Sequence, residues 1–180
     1  MNLKACYGMI PSPPVEAGGR VMLGLFKRRK ALYSDGQIDL VLAEAGQRDA
    51  SSGIREAYTF DICLRGQRQS IGYISLRLGE SPSLYYLGHI GYRVQAAWRG
   101  HGYAGRALKL LIPLMRKEEL LHPVITTNVD NLPSRYTCLH AGCVLERIAP
   151  VPPAYRDVCA GATLKCRYIL RIPPQGEDRA

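Results

Sequence analysis

The sequence predicts an α/β domain: a mixed, mostly antiparallel sheet of six or seven strands with helices packed against it. Three observations carry this. Between Gln37 and Gln95, four short segments rich in Ile, Val, Tyr and Leu follow one another with only turn residues between them. From Ala104 the apolar spacing changes abruptly to steps of three and four residues. Beyond that point come one more β-rich run, a second helical stretch and two final β-rich runs, which gives the order β-β-β-β-α-β-α-β-β.

Residues 1–30 carry Pro11, Pro13, Pro14, Gly18 and Gly19 without periodicity and read as a leader, either flexible or laid on the surface. The basic run "FKRRK" (Phe26–Lys30) closes it and reads as a solvated charged face. The domain is expected over 31–173, with 174–180 as a tail. "QIDLVLAEA", "AYTFDICLR", "SIGYISLRL" and "YYLGHIGYRVQ" are the first four strands, and the short joints "GQRQ" and "GESPS" make the last three an antiparallel meander. After Ala104, the positions Ala107, Leu108, Leu111, Ile112, Leu114 and Met115 form one apolar helix face, opposite Arg106, Lys109, Arg116 and Lys117. Pro113 inside it predicts a bend about a turn upstream. "PVITTNV" is a buried strand. "NLPSRYTCLHAG" is a second helix, with Asn131 as N-cap, Pro133 in the first turn and Gly142 as terminator. "VLERI" and "LKCRYILRI" complete the sheet.

Composition excludes more than it selects. With 47% apolar and 22% charged residues the chain is an ordinary globular mix rather than a disordered one. Its 24 Lys plus Arg against 15 Asp plus Glu give +9, but the charge is spread along the chain without an aromatic-basic reading motif, so no nucleic acid partner is expected. The six cysteines form no CxxC pair and show no zinc spacing with the histidines, so no metal is expected either. The N-terminus has no apolar signal core and no run approaches about 18 apolar residues, so the expectation is a cytoplasmic protein with free thiols and no membrane contact. A homodimer stays open.

The stretch "RGHGYA" (Arg99–Ala104) asks for a ligand. A strand must turn into a helix there, and one glycine would suffice for that. Arg99 sets a cation beside a helix N-terminus that is itself positive, an arrangement an anion would relieve. Successive amides at such a turn form a diphosphate cradle. Gly100, Gly102 and Gly105 also spell G-x-G-x-x-G, the dinucleotide fingerprint, although "QAAWR" separates them from the preceding strand and no repeated βαβ units follow.

"GYRVQAAWRGHGYAGRALKLL" resembles the coenzyme A motif of the GNAT acetyltransferase superfamily, with Arg99, Gly102 and Ala104 filling its R/Q-x-x-G-x-G/A loop. "NVDNLPSRYTCLHAGC" is similar to the family's second motif, matched by Asn131, Ser134 and Gly142. The two motifs stand at the family's spacing, and the resemblance covers about three quarters of the chain, so the expected sheet is GNAT-like. It implies transfer of an acetyl group from acetyl-coenzyme A (acetyl-CoA), as co-substrate, to a primary amine of a small molecule or protein by direct attack in a ternary complex. The implied cofactor-binding residues are Tyr92, Val94, Arg99, Gly100, His101, Gly102, Tyr103, Ala104, Asn131 and Ser134. His89, about ten positions before the loop arginine, falls where the family often keeps a base or a water-holding residue; a histidine bonded within the sheet is the alternative. Cys138 falls where members often carry the tyrosine that protonates the departing thiolate, and it is either that acid or a packing residue. The family also sets one or two helices between its first two strands, as a wall of the acceptor site, where this chain has only "GQRDASSGIRE". Two other functions remain: an acyl-CoA-binding module without catalysis and, more distantly, a dinucleotide-binding protein.

Overall fold

The computed structural model describes residues 31–173; the expected leader and tail lie outside the described residues. The strands are β1 (Ala31–Ser34), β2 (Ile38–Asp49), β3 (Ile54–Leu64), β4 (Ser70–Leu78), β5 (Ile90–Val94), β6 (Val124–Asn128), β7 (Val144–Pro150) and β8 (Leu164–Ile169). The helices are α1 (Pro82–Leu87), α2 (Tyr103–Leu110), α3 (Ile112–Lys117) and α4 (Leu132–His140). All eight strands form one sheet in the order β1-β2-β3-β4-β5-β6-β8-β7. Every neighbouring pair is antiparallel except β5 with β6.

The seven expected strands are all present, and β1 is the eighth. Asp35-Gly36 turns β1 into β2, with Gly36 at φ +90° and the Asp35 carboxylate accepting from the Gln37 and Ile38 amides. The fourth expected strand is shorter at its start. Tyr85, Tyr86 and Leu87 are helical, because Ser81 caps α1 by accepting from the Leu84 amide at 3.0 Å and Pro82 opens its first turn.

No helix separates β2 from β3. The strands run past the expected ends near Ala45 and Ala57 and meet in a single 3₁₀ turn at Ala50–Ser52, capped by the Asp49 carboxylate. From Glu44 to Arg48 the β2 residues are exposed. The long helix is interrupted where Pro113 predicts it: α2 ends at Leu110 and α3 starts at Ile112, since proline has no N–H to give the Lys109 carbonyl.

The sheet has two unlike faces. By alternation and register Leu40, Ile62, Ile74, Leu76, Tyr92, Ile125, Cys166 and Tyr168 share one face, and they pack with Ala107, Leu108, Leu111, Met115 and Cys138 of the helices into one core. Each fully buried Leu or Ile there is worth about 2 kcal/mol of transfer free energy. The opposite face holds Ser75, Arg77, Gly91, Thr126 and Arg167. Over it lies α1, tied down by the Thr126 hydroxyl, which donates to the Tyr86 and Leu87 carbonyls.

Candidate functional site

The sheet opens at its one parallel pair. Ile90 is in register with Ile125, and beyond them the strands separate: β5 stays with β4 as far as Val94, while β6 stays with β8 as far as Asn128. A gap therefore widens toward the C-terminal ends of β5 and β6, and the chain leaving β5 delivers the glycine loop to its mouth. The last step of β5 depends on Gly72, which faces Val94 so closely that a Cβ on it would collide with the Arg93 carbonyl oxygen.

Gly100 and Gly102 hold φ +84° and +76°, the left-handed region that side chains resist, while nothing lies within 4 Å of where their Cβ atoms would be. Conformation, then, requires glycine here, and space does not. Gly102 is the N-cap of α2 and supplies no side chain to it, and no acidic residue stands in the first turn. Among the described residues the amides from Gly100 to Gly105 donate to no protein group, and the first bond of the helix is Arg106 N–H to the Gly102 carbonyl. Arg99 folds back so that its Nε donates to the Val94 carbonyl at 3.0 Å. His101 is exposed, bonded through Nδ1 to the Arg99 carbonyl and stacked on Tyr103 at 5.4 Å.

These amides line a groove of about 740 Å³ whose other wall is the Pro133, Tyr136, Thr137 and His140 side of α4. Lys109 and Arg106 add positive charge; Asp35, the acid in the groove, is bound to Arg106 at 2.8 Å. Burial pushes the Asp35 carboxyl up, but the Ile38 amide, Arg106 and the Gln37 amide outweigh it and hold it below the usual carboxylate range. The groove thus combines a run of free N–H groups, a helix dipole and net positive charge, a setting for a multiply charged anion.

The second motif contributes mainly to shape. Asn131 accepts from the Ser134 amide at 3.2 Å and so caps α4. Tyr92 reaches across from β5, its hydroxyl 2.9 Å from Ser134 Oγ and 3.7 Å from Cys138 Sγ. Cys138 is 0% exposed and Cys143 4%. A hydrogen bond from Cys143 holds the Cys138 thiol low and pushes that of Cys143 up, while burial drives the Tyr92 phenol well above its ordinary value. Tyr136, two positions from Cys138, points out of the core and is 60% exposed.

His89 stands at the start of β5 with both ring nitrogens on the main chain: Nδ1 accepts from the Val124 amide at 3.1 Å and Nε2 donates to the Gly79 carbonyl at 3.3 Å. Burial, with Arg167 and Arg77 nearby, lowers its pKa against the opposing pull of the Gly79 carbonyl and Glu80. Nothing local in the chain announces these partners, which lie 10 and 35 residues away. Because the folded pKa is depressed, the stability His89 supports is complete above its unfolded value near 6.5 and falls away below it. The melting temperature of the protein is expected to drop between pH 7 and 5.5, and to drop less in His89→Gln; equal drops would show that the imidazole is not the group being titrated.

A mixed sheet parted at one parallel pair, with an uncapped helix at the mouth of the gap, defines the architecture of acyl-coenzyme A-dependent transferases. The family model described as Acetyltransferase (GNAT) domain matches residues 27–144, and the chain belongs to this family. No curated protein sequence matches it. Among solved structures it is similar to a candidate ribosomal-protein-serine acetyltransferase from Vibrio cholerae, with 25% identity, a TM-score of 0.50 and coverage of 65% of this chain and 64% of that one. The ribosomal-protein-S5-alanine acetyltransferase from Vibrio fischeri gives 21%, 0.51, 64% and 62% for the same quantities. The microcin C7 self-immunity acetyltransferase MccE, solved with acetyl-CoA and AMP, gives 24%, 0.49, 64% and 61%. This chain thus spans somewhat less than two thirds of each. Among the described residues no helix is long and apolar enough to cross a membrane, and no group of His, Cys, Asp and Glu could hold a metal ion.

Proposed function

We propose that the protein is an acetyl-CoA-dependent N-acetyltransferase that moves an acetyl group to a primary amine. The observation that carries this is the unbroken run of unpaired amides from Gly100 to Gly105 at the mouth of the parted sheet. The diphosphate of coenzyme A would rest on these amides beside Arg99, His101, Tyr103 and Ala104, with Arg106 and Lys109 flanking it. Its thioester arm would follow the gap past Val94, Tyr92 and Ser134, and the unpaired edge of β5 near Val94 would meet the thioester oxygen. Bound acetyl-CoA supplies an activated acyl group. The protein's part is to hold it and to leave the opposite face open to the acceptor. The similarity to a candidate ribosomal-protein acetyltransferase makes a protein amine one reading of that acceptor, beside a small molecule.

His89 as base would have to give up the Val124 bond before taking a proton on Nδ1. The amine therefore loses its proton to water on the open face. Cys138, sealed under Tyr92, is a packing residue. Cys138→Ser is expected to leave kcat within about twofold while costing about 1 kcal/mol of stability through its buried hydroxyl. A loss of kcat by about tenfold or more at unchanged melting temperature would make the thiol an acid instead.

The test of the function is to incubate the protein with acetyl-CoA and a panel of amines while following free thiol. Thiol release that depends on an amine supports the transferase. Coenzyme A binding without any release supports a binding module, and tighter binding of NAD than of coenzyme A would restore the dinucleotide reading.

A further inference from the structure

Seven of the eight large apolar side chains that are exposed among the described residues belong to one margin of the molecule, on α4, β7 and β8. The eighth, Leu32, is on β1 at the far edge of the sheet. On α4, Leu132, Tyr136 and Leu139 follow at steps of four and three, which sets them in a stripe on the side of the helix away from its buried Cys138. In the sheet, Leu145 and Ile148 stand in register with Tyr168 and Cys166, so they share the face on which α4 packs, and Leu164 shares it by alternation. The helix leaves all three uncovered: Leu145 is 40% exposed, Ile148 51% and Leu164 42%. Together with Val144, side chains of this size at about half exposure present on the order of 600 Å² of apolar surface, the upper end of what a monomer leaves in one patch and most of the roughly 800 Å² that each partner of a standard interface contributes.

The same margin is an open edge. β7 is the last strand of the sheet and is bonded to β8 on one side only. Its register slips by one residue between Leu145 and Arg147. Because of this bulge Glu146 and Arg147, adjacent in the chain, turn to the same face: Glu146 accepts from Arg167 Nε at 2.7 Å, and Arg147 is in register with Arg167. Arg147 is exposed and has no acid partner among the described residues. Opposite charges side by side on one face make the strand complementary to itself. A two-fold axis normal to the sheet and passing between Glu146 and Arg147 sets each Arg147 beside the Glu146 of the other copy, and on the opposite face each Leu145 beside the other copy's Ile148. A strand of strict alternation would admit such an axis only through a residue, opposing Glu146 to Glu146 or Arg147 to Arg147.

We propose that α4, β7 and the start of β8 form the interface of a homodimer closed about this axis, and that a second copy of the chain covers the apolar margin. The charges single out a second copy, since a contact between identical patches needs both signs on the one patch. Tyr136 also lines the coenzyme groove, so the interface reaches the α4 wall of that groove. The proposal does not depend on the acetyl-transfer reading.

Sedimentation velocity of the full chain across the micromolar range tests it, on the wild type, Ile148→Glu, Arg147→Glu and Arg147→Lys. The wild type is expected to sediment as a dimer. Ile148→Glu sets a charge in the apolar contact and Arg147→Glu sets acid against acid, so each should weaken self-association by about tenfold or more with the circular dichroism spectrum unchanged. Arg147→Lys keeps the sign and should stay within about threefold of the wild type. A wild type that remains monomeric overturns the proposal and leaves the margin to another protein or to a part of the chain outside the described residues. A dimer left as tight by either glutamate places the contact elsewhere and overturns it equally. Should Ile148→Glu fail to fold, Arg147→Glu against Arg147→Lys decides.

Discussion

Gly102→Val is expected to weaken coenzyme A binding by at least about tenfold, measured by calorimetry, while the melting temperature changes little. Gly102 sits at φ +76°, where a β-branched residue is strained, so valine would pull the N-cap of α2 out of its left-handed turn and re-aim the amides on either side of it. A side chain at this position would also stand where a phosphate oxygen has to approach the main chain. The structure adds that nothing of the protein lies within 4 Å of the missing Cβ, so the fold itself has room. Gly102→Asn separates the two causes, because asparagine tolerates the left-handed region: it restores the turn and still places a side chain beside the ligand. Coenzyme A affinity unchanged in a folded Gly102→Val protein would remove the loop from the binding site.

Gly72→Ala should be a strongly damaging small substitution, with a loss of about 2–3 kcal/mol in chemical denaturation. The new methyl group would press into the Arg93 carbonyl oxygen and stand 3.0 Å from the Val94 Cα, and main chain cannot rotate away as a side chain can. Relief requires β4 and β5 to separate just where β5 hands the chain to the glycine loop. Coenzyme A affinity should fall along with stability, which distinguishes this site from an ordinary core defect. A variant as stable as the wild type would mean that the end of β5 is free to shift.

What the sequence disclosed and what it hid follow from the range of the forces involved. The meander, the helix after the loop and its interruption at Pro113 rest on neighbours a few positions apart, and they were legible. So was the loop, since two glycines before an acid-free helix start are a local signal. The first strand, β1, has only four residues and shows no alternation long enough to notice, although Asp35-Gly36 marked its turn. Ser81-Pro82 likewise announced α1, inside a stretch whose tyrosines favoured a strand. His89 and Arg77 were opaque for another reason. Both fall at positions that alternation assigns to the polar side of the sheet, and only the tertiary fold reveals that α1 covers that side at one end. A buried imidazole committed to the Val124 amide, or a guanidinium with no carboxylate partner among the described residues, is a fact about partners distant in the chain.

The single turn at Ala50–Ser52, which joins two long strands without a helix between them, has a kinetic consequence. Among the described residues no wall stands there to swing shut, so on the acetyl-transfer reading arrival and departure would need no conformational gate and a cycle on this face would not wait for a lid to open. The same openness admits water as freely as amine. On the acetyl-transfer reading, some acetyl groups would then be lost to hydrolysis before an acceptor arrives. The ratio of transfer to this leak, more than the rate of either, is the quantity that a missing lid would set.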